Sequence, residues 1–432
     1  MAMPVYPTIV VPGITASYLT DEYQLPPQVV WSVMTKEFER AAMHPDNTRF
    51  EAVEPARVVP GQVFEVAYRE LIEELRHNLS TREDLPVPVF PFGYDWRQPL
   101  DLVEQKLAAF IDEVIARTKL LRHYDREGYA TTPKVNLVGH SMGGLVIAGY
   151  LQRAGAAAPV HKVATLATPF QGSFEAVIKI TTGTSDLGST APSSREREAA
   201  RLTPALYHLL PSFAEGVEID PALPQSLLEP GAWQPSILRT LEEFVRKYGL
   251  GRSNRGEQAA ALFAAMLDRA KAHRARTDSL NLADCGLGAA SWLCVVGMGS
   301  TTRVRLEVER RGQAGEFRFR TTDRQNGWSD NPAGRTPLTG DGTVPYAGAV
   351  PKFLAPENLV CVTPDDYGYW EVQDRALTAV AGFHGILPNM DMLHRMIVAH
   401  LSERPDRYGN IWGWRAPGVE TPNWPIAGMK VK

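Results

Sequence analysis

The chain has 432 residues, of which 44% are hydrophobic and 22% charged, and its formal net charge is −4. That length exceeds one minimal domain and suits a single large core carrying an insertion, while the charge balance lacks the basic excess that draws nucleic acid. Three cysteines, Cys285, Cys294 and Cys361, are odd in number and without zinc spacing, so neither a disulfide framework nor a metal site is expected and no cofactor is implied.

Met1 to Thr8 shows no basic region followed by an apolar stretch, and no run of about 18 apolar residues could span a bilayer, so a cytoplasmic location is expected unless a leader has been removed. Pro7 to Gly13 places β-branched residues before two breakers, as in a short buried strand entering a turn. Glu65 to Leu79 gathers Val66, Tyr68, Leu71, Ile72 and Leu75 mainly on one helical face, and Pro86 to Phe92 then reads as a strand. Pro99 opens a second long helix to about Leu121, Lys134 to Val138 is a strand, Met142 to Ala154 a helix, and His161 to Thr168 a further strand. The alternation predicts an α/β fold whose mostly parallel sheet is covered on both faces.

The rhythm breaks at residue 170. A Gly, Ser and Thr stretch at 181–194 is expected to act as a hinge, and the chain to about 290 is helical or irregular, with an Ala-rich helix near 258–276; this is the pattern of an inserted cap. Strand character returns at 291–296, a hairpin fits 304–321, and a strand at 358–362 and a helix near 389–401 close the core. The Pro- and Trp-rich residues 403–432 are expected to wrap the surface. The predicted organisation is therefore a core of residues 1–169 and 291–402 with a cap at 170–290. Val-Val-Pro-Gly occurs twice, at 10–13 and 58–61, and both copies read as turns.

Gly139-His-Ser-Met-Gly143 satisfies G-x-S-x-G between an apolar strand and an apolar helix. On such a sharp turn Ser141 sits in strained backbone geometry, and its hydroxyl projects at a helix N-terminus that favours developing negative charge. A serine hydroxyl needs a histidine base oriented by a carboxylate, in the chain order Ser, Asp or Glu, His. Among the histidines after Ser141, only His384 falls in a predicted loop beyond the last strand; His394 and His400 fall on the final helix, where surface or packing roles suit them. Asp341, between glycines in Gly340-Asp-Gly-Thr-Val344, is the candidate acid, with Asp365, Asp366 and Asp374 as competitors. A D-G pair alone most often marks only a turn. The oxyanion hole is assigned to the N–H of Met142 and of Ile14, with Gln62 as rival to Ile14.

Together these motifs resemble the lecithin:cholesterol acyltransferase family, which includes lysosomal phospholipase A2 and phospholipid:diacylglycerol acyltransferases. The match is carried by Val11-Pro-Gly13, Tyr94-Asp-Trp-Arg97, Gly139 to Gly143, Thr168-Pro-Phe-Gln-Gly-Ser173, Pro204 to Pro211, Gly340 to Val344 and His384 with Ile386-Leu387. The resemblance implies an α/β-hydrolase core, with Ser141, Asp341 and His384 forming an acyl-enzyme on lipid esters and Ile14 and Met142 at the oxyanion positions. Residues 20–57 would then be the family's lid-like insertion, where members contact membranes, although this chain lacks the cysteines that secreted members pair there. A lipase or phospholipase and a lipid O-acyltransferase share these residues, so both readings stand, beside an inactive binding module that would require a broken triad. Trp31 and Leu209 are candidate walls of an acyl channel, Leu209 equally a core residue. Arg97 has two readings, a contact to an anionic headgroup and the commoner structural ion pair.

Overall fold

The computed structural model of the protein describes residues 5–23, 25–43, 57–183, 194–213, 216–248, 253–327 and 338–432. The proposed hinge at 181–194 and the lid-like insertion at 20–57 therefore lie partly outside the described residues. Eight strands form the central sheet: β1 Thr8–Val11, β2 Val89–Pro91, β3 Val135–His140, β4 Val160–Leu166, β5 Trp292–Gly297, β6 Leu359–Val362, β7 Trp412–Arg415 and β8 Lys430–Val431. Their spatial order is β8-β7-β6-β5-β4-β3-β1-β2, parallel throughout except where β7 runs against β6.

The hydrophobic runs in these strands follow from burial on both faces. Successive side chains point to opposite sides, so Ile9, Leu137, Cys294 and Cys361 enter one core while Val10, Val138, Val295 and Val360 enter the other. On the first face lie α2 Leu100–Lys119 and α3 Met142–Ala154; on the second lie α1 Glu65–Leu79, the segment α5 Val372–Ile386 and α6 Asp391–Leu401. All three cysteines are buried and form no disulfide. Among the described residues, no helix is long and apolar enough to cross a membrane.

Between β4 and β5 the chain leaves the sheet for more than a hundred residues. Its longest element, α4 Arg255–Asp278, is the Ala-rich helix expected near 258–276. This helix is pinned to the core through a buried carboxylate: Glu104 of α2 accepts from Arg276 of α4 at 2.9 Å and from Arg153 of α3 at 2.9 Å. Burial raises the proton affinity of Glu104, and the two guanidiniums oppose that rise. The hairpin forms from Leu306–Arg311 and Ala314–Arg318, and Val217–Ile219 adds to its edge in parallel.

Two local expectations are corrected. The second Val-Val-Pro-Gly is no turn but the start of the strand Val58–Val63, which pairs with Ser17–Asp21 in a three-stranded sheet that also contains Gln28–Trp31. Pro60 is tolerated because that strand lies at an edge, where a missing N–H costs no interior ladder bond. The final segment does not merely wrap the surface; it supplies β7 and β8. Asp366 fastens it by accepting the indole N–H groups of Trp412 and Trp414 at 2.9 and 3.0 Å and the Lys432 ammonium at 2.7 Å.

Candidate active site

Ser141 occupies the single residue between β3 and α3, with φ 53° and ψ −129°. For a non-glycine residue this is a costly conformation, about 1–3 kcal/mol, sustained by the packed strand and helix on either side. The flanking glycines make the turn possible. A Cβ on Gly143 would stand 2.1 Å from the carbonyl oxygen of Val11, and one on Gly139 would stand 2.8 Å from the backbone nitrogen of Gly144.

His384 Nε2 lies 2.9 Å from Ser141 Oγ, and His384 Nδ1 lies 2.6 Å from Asp341 Oδ2. A carboxylate only accepts, so Nδ1 carries the proton and Nε2 is left to accept from the serine hydroxyl. The other carboxylate oxygen, Oδ1, accepts the N–H groups of Thr343 and Val344 at 2.9 and 2.6 Å. All three side chains are buried. The structure thus brings together the three residues singled out in the sequence. It corrects the setting of His384, which lies not in a loop but in a short helical turn, directly after a break at Gly382 where φ is 76°.

At the proposed oxyanion side, the Pro12-Gly13-Ile14 turn packs on Ser141 so closely that a Cβ on Gly13 would stand 2.9 Å from Ser141 Cβ. Ile14 lines the cleft that contains Ser141, and among the described residues its N–H donates to no protein acceptor. Met142 begins α3, so its N–H has no partner within the helix. Gln62, the rival donor, is exposed on the strand Val58–Val63 and does not line this cleft.

The cleft has a volume of about 280 Å³ and is walled by Ile14, Trp31, Val33, Val66 and Ile386 around Ser141 and His384. Trp31, Ser32, Val33 and Lys36 contribute to it, and none of the described residues of 170–290 does. Behind Trp31 lies a smaller cavity of about 30 Å³, reaching Phe38, Trp96 and Leu206 and sharing Ile14, Thr15 and Trp31 with the cleft. The Trp31 indole is held as the partition by a 2.9 Å hydrogen bond to the Thr15 carbonyl and by the Trp96 ring, 4.8 Å away between centroids.

Two candidate binding residues fall elsewhere. Arg97 is fully buried; its guanidinium grips Asp95 with bonds of 2.8 and 2.7 Å and donates to the Ala41 carbonyl at 3.0 Å, so it forms the structural ion pair and does not face a headgroup. Leu209 is 2% exposed within the core and lines neither cavity. The rest of the Tyr94-Asp-Trp-Arg97 motif buttresses the Pro12–Ile14 turn and Trp31: the Tyr94 hydroxyl donates to the Pro12 carbonyl at 2.8 Å, and Trp96 backs Trp31. In the Thr168 to Ser173 motif, the Ser173 hydroxyl donates to the Thr343 carbonyl at 2.5 Å, holding the turn that carries Asp341.

Sequence reasoning passed over Tyr68 and His140, which hydrogen-bond to each other beneath the site. Tyr68 was counted only as part of an apolar stripe. A tyrosine hydroxyl placed at a position facing the core was the available signal, because a buried hydroxyl needs a partner.

Comparison with known proteins agrees with the resemblance read from the motifs. Residues 61–230 match the family described as lecithin:cholesterol acyltransferase. No curated protein matches the chain in sequence. Among solved structures, a chain of the Tle4–Tli4 complex superposes with a TM-score of 0.57 at 14% identity, covering 92% of this chain and 98% of that one. The product of the lin2722 gene of Listeria innocua aligns over 50% of this chain and 69% of its own at 13% identity, with a TM-score of 0.20 that is too low to bear on the fold. The architecture is thus an α/β-hydrolase-like fold, and the similarity to the acyltransferase family extends across the turn that carries Ser141.

Proposed function

We propose that the chain is a serine hydrolase that cleaves carboxylic esters of lipids through an acyl-enzyme on Ser141. The observation that carries the reading is the continuous alignment of Ser141 Oγ, His384 and Asp341 at 2.9 and 2.6 Å. As Oγ attacks the ester carbonyl, its proton passes to His384 Nε2, and Asp341 stabilises the resulting imidazolium. The carbonyl oxygen takes up the electron pair of its π bond and is met by the N–H groups of Ile14 and Met142. When the tetrahedral species collapses, the leaving alkoxide takes the proton from Nε2. A second nucleophile, deprotonated by the same histidine, then bonds to the acyl carbon; as the bond from that carbon to Oγ breaks, Nε2 returns the proton to Ser141 Oγ.

For a lipase or phospholipase that nucleophile is water. The family description as an acyltransferase favours a second reading, in which a lipid alcohol takes its place. Apolar walls at Trp31, Val33 and Val66 suit an acyl chain in either case. The test is mass-spectrometric product analysis with phospholipid, triglyceride and short p-nitrophenyl esters, with and without a long-chain alcohol. Free fatty acid alone supports the hydrolase, and a new ester formed at the expense of fatty acid supports the transferase. Turnover of none of these esters by folded protein would overturn both.

Substrate length gives a sharper check on the cleft. Trp31→Ala should join the small cavity to the cleft and shift the kcat/KM ratio of long over acetyl esters by about tenfold, since discrimination per methylene in an apolar pocket is of order 10- to 200-fold. Acetyl ester turnover should stay nearly unchanged. Leu209→Ala serves as contrast: a core truncation of this kind costs about 2–5 kcal/mol of stability, lowering Tm without altering the ratio. An unchanged ratio in Trp31→Ala would remove Trp31 from the acyl site.

A further inference from the structure

We propose that His140 and Tyr68 are positioning residues that hold the base and the oxyanion turn in register through a single chain of hydrogen bonds. The inference rests on the serine-hydrolase reading and extends it to two residues of the cleft wall that lie outside the Ser141–His384–Asp341 line.

The chain starts at Gly13, whose N–H donates to Tyr68 Oη at 2.9 Å. Tyr68 Oη lies 2.7 Å from His140 Nδ1, and His140 Nε2 lies 2.9 Å from the backbone carbonyl oxygen of His384. The carbonyl can only accept, so Nε2 carries the His140 proton and Nδ1 must accept. Tyr68 therefore donates its one hydroxyl proton to Nδ1 and uses an oxygen lone pair for Gly13. Each proton in the chain has one place: moving the His140 proton to Nδ1 would set it against the Tyr68 O–H and leave Nε2, then an acceptor, facing the His384 carbonyl oxygen.

Burial supports the same assignment. Both side chains are almost wholly enclosed. Removal from water holds the Tyr68 hydroxyl well above its ordinary range, against the opposing bond from Gly13. The same burial, reinforced by the neighbouring His384, holds His140 well below its ordinary range, so both rings are neutral. Neutrality suits the position: the His140 and His384 rings are 5.0 Å apart between centroids, and a second cation there would oppose the imidazolium that His384 must become.

At one end the chain completes the seating of the base. His384 is tied to Asp341 by its ring and also by its backbone N–H, which donates to the Asp341 carbonyl at 3.1 Å. His140 grips the carbonyl of that same residue, so neither side of the His384 backbone is left to drift. At the other end Tyr68 orients the Gly13 N–H, one peptide before Ile14, while Tyr94 holds the Pro12 carbonyl. Apolar residues could fill the same volume without the cost of desolvating a hydroxyl and an imidazole, so packing alone does not account for this pair.

The experiment uses the full chain and a short p-nitrophenyl ester, comparing Tyr68→Phe, His140→Ala, the double variant and His140→Gln. Tyr68→Phe and His140→Ala should each lower kcat by about 10- to 100-fold with KM within about twofold, because misplacing a reacting group by a fraction of an ångström costs rate and not ground-state binding. The double variant should fall within about threefold of the worse single variant, as expected for residues acting as one unit. His140→Gln, whose amide N–H can still reach the His384 carbonyl, should recover about tenfold over His140→Ala. Wild-type kcat with only a lowered Tm, a loss confined to KM, or multiplied losses in the double variant would overturn the proposal. Should His140→Ala not fold, Tyr68→Phe decides alone, since it removes a single oxygen. Ser141→Ala is measured alongside: activity there would overturn the hydrolase reading itself, whereas an inactive Ser141→Ala beside a fully active Tyr68→Phe would overturn only the positioning chain.

Discussion

Replacing Ser141 by alanine is expected to lower ester turnover by about 10⁴ to 10⁶-fold while leaving the fold intact. The magnitude follows from the role of the hydroxyl, which is the atom that would become acylated; among the described residues no other oxygen is aligned on His384 Nε2. The fold should persist because the substitution removes one oxygen whose hydrogen bond is to His384. Alanine also meets the same backbone demand as serine at φ 53°, so the strain of the turn is not changed. The measurements are kcat/KM on a p-nitrophenyl ester, Tm, and labelling by a fluorophosphonate, which should mark Ser141 in the wild type and nothing in the variant. A folded Ser141→Ala protein with wild-type turnover would end the serine-hydrolase reading.

Asp341→Asn should cost about 10⁴-fold in kcat, for a reason visible in the hydrogen bonds around the carboxylate. Thr343 and Val344 both donate to Oδ1, so an asparagine would keep its carbonyl oxygen there and turn its NH₂ toward His384 Nδ1. Nδ1 would then have to accept, the proton would move to Nε2, and Ser141 would face a donor instead of a base. Stability should change little, since the turn keeps its acceptor. The competing aspartates give the contrast. Asp365 is exposed, and Asp365→Asn should leave both kcat and Tm alone. Asp366 anchors Trp412, Trp414 and Lys432, so Asp366→Asn should lower Tm and spare the chemistry. A comparable loss of kcat in Asp365→Asn would show that Asp341 holds no special place.

Much of this was legible because the chemistry is concentrated in short segments. Gly139, Ser141 and Gly143 carry their own steric logic, and the α/β alternation follows from strands buried on two faces. The Gly-Asp-Gly turn shows why the acid was harder to read: Asp341 does cap its own turn, and it uses only one carboxylate oxygen to do so, leaving the other for His384. What escaped is what depends on distant partners. Tyr68 lies 72 residues from His140, and nothing near it in the chain separates a hydroxyl with a task from a ring that fills space. Pro60 and Gly61 read as breakers, and only pairing with Ser17–Asp21 makes an edge strand of them. His394 and His400 suited the surface or packing; both are buried, His394 donating to the Pro388 carbonyl and His400 to the Val163 carbonyl, 237 residues away. Arg97 was readable as an ion pair with Asp95, but its complete burial was not.

The order of the strands bears on when Ser141 and His384 can meet. β5 seats itself beside β4 only after the whole excursion between residues 166 and 292 has been made, and His384 meets Ser141 across a separation of 243 residues. A ribosome releases the chain from its N-terminus at about 5–20 residues per second. At that pace Ser141, its turn and the parallel strands around it emerge about 12 to 49 seconds before His384 does. Under the proposed serine-hydrolase reading, the half-made chain is a serine without its histidine, inert toward esters until residue 384 has joined the fold.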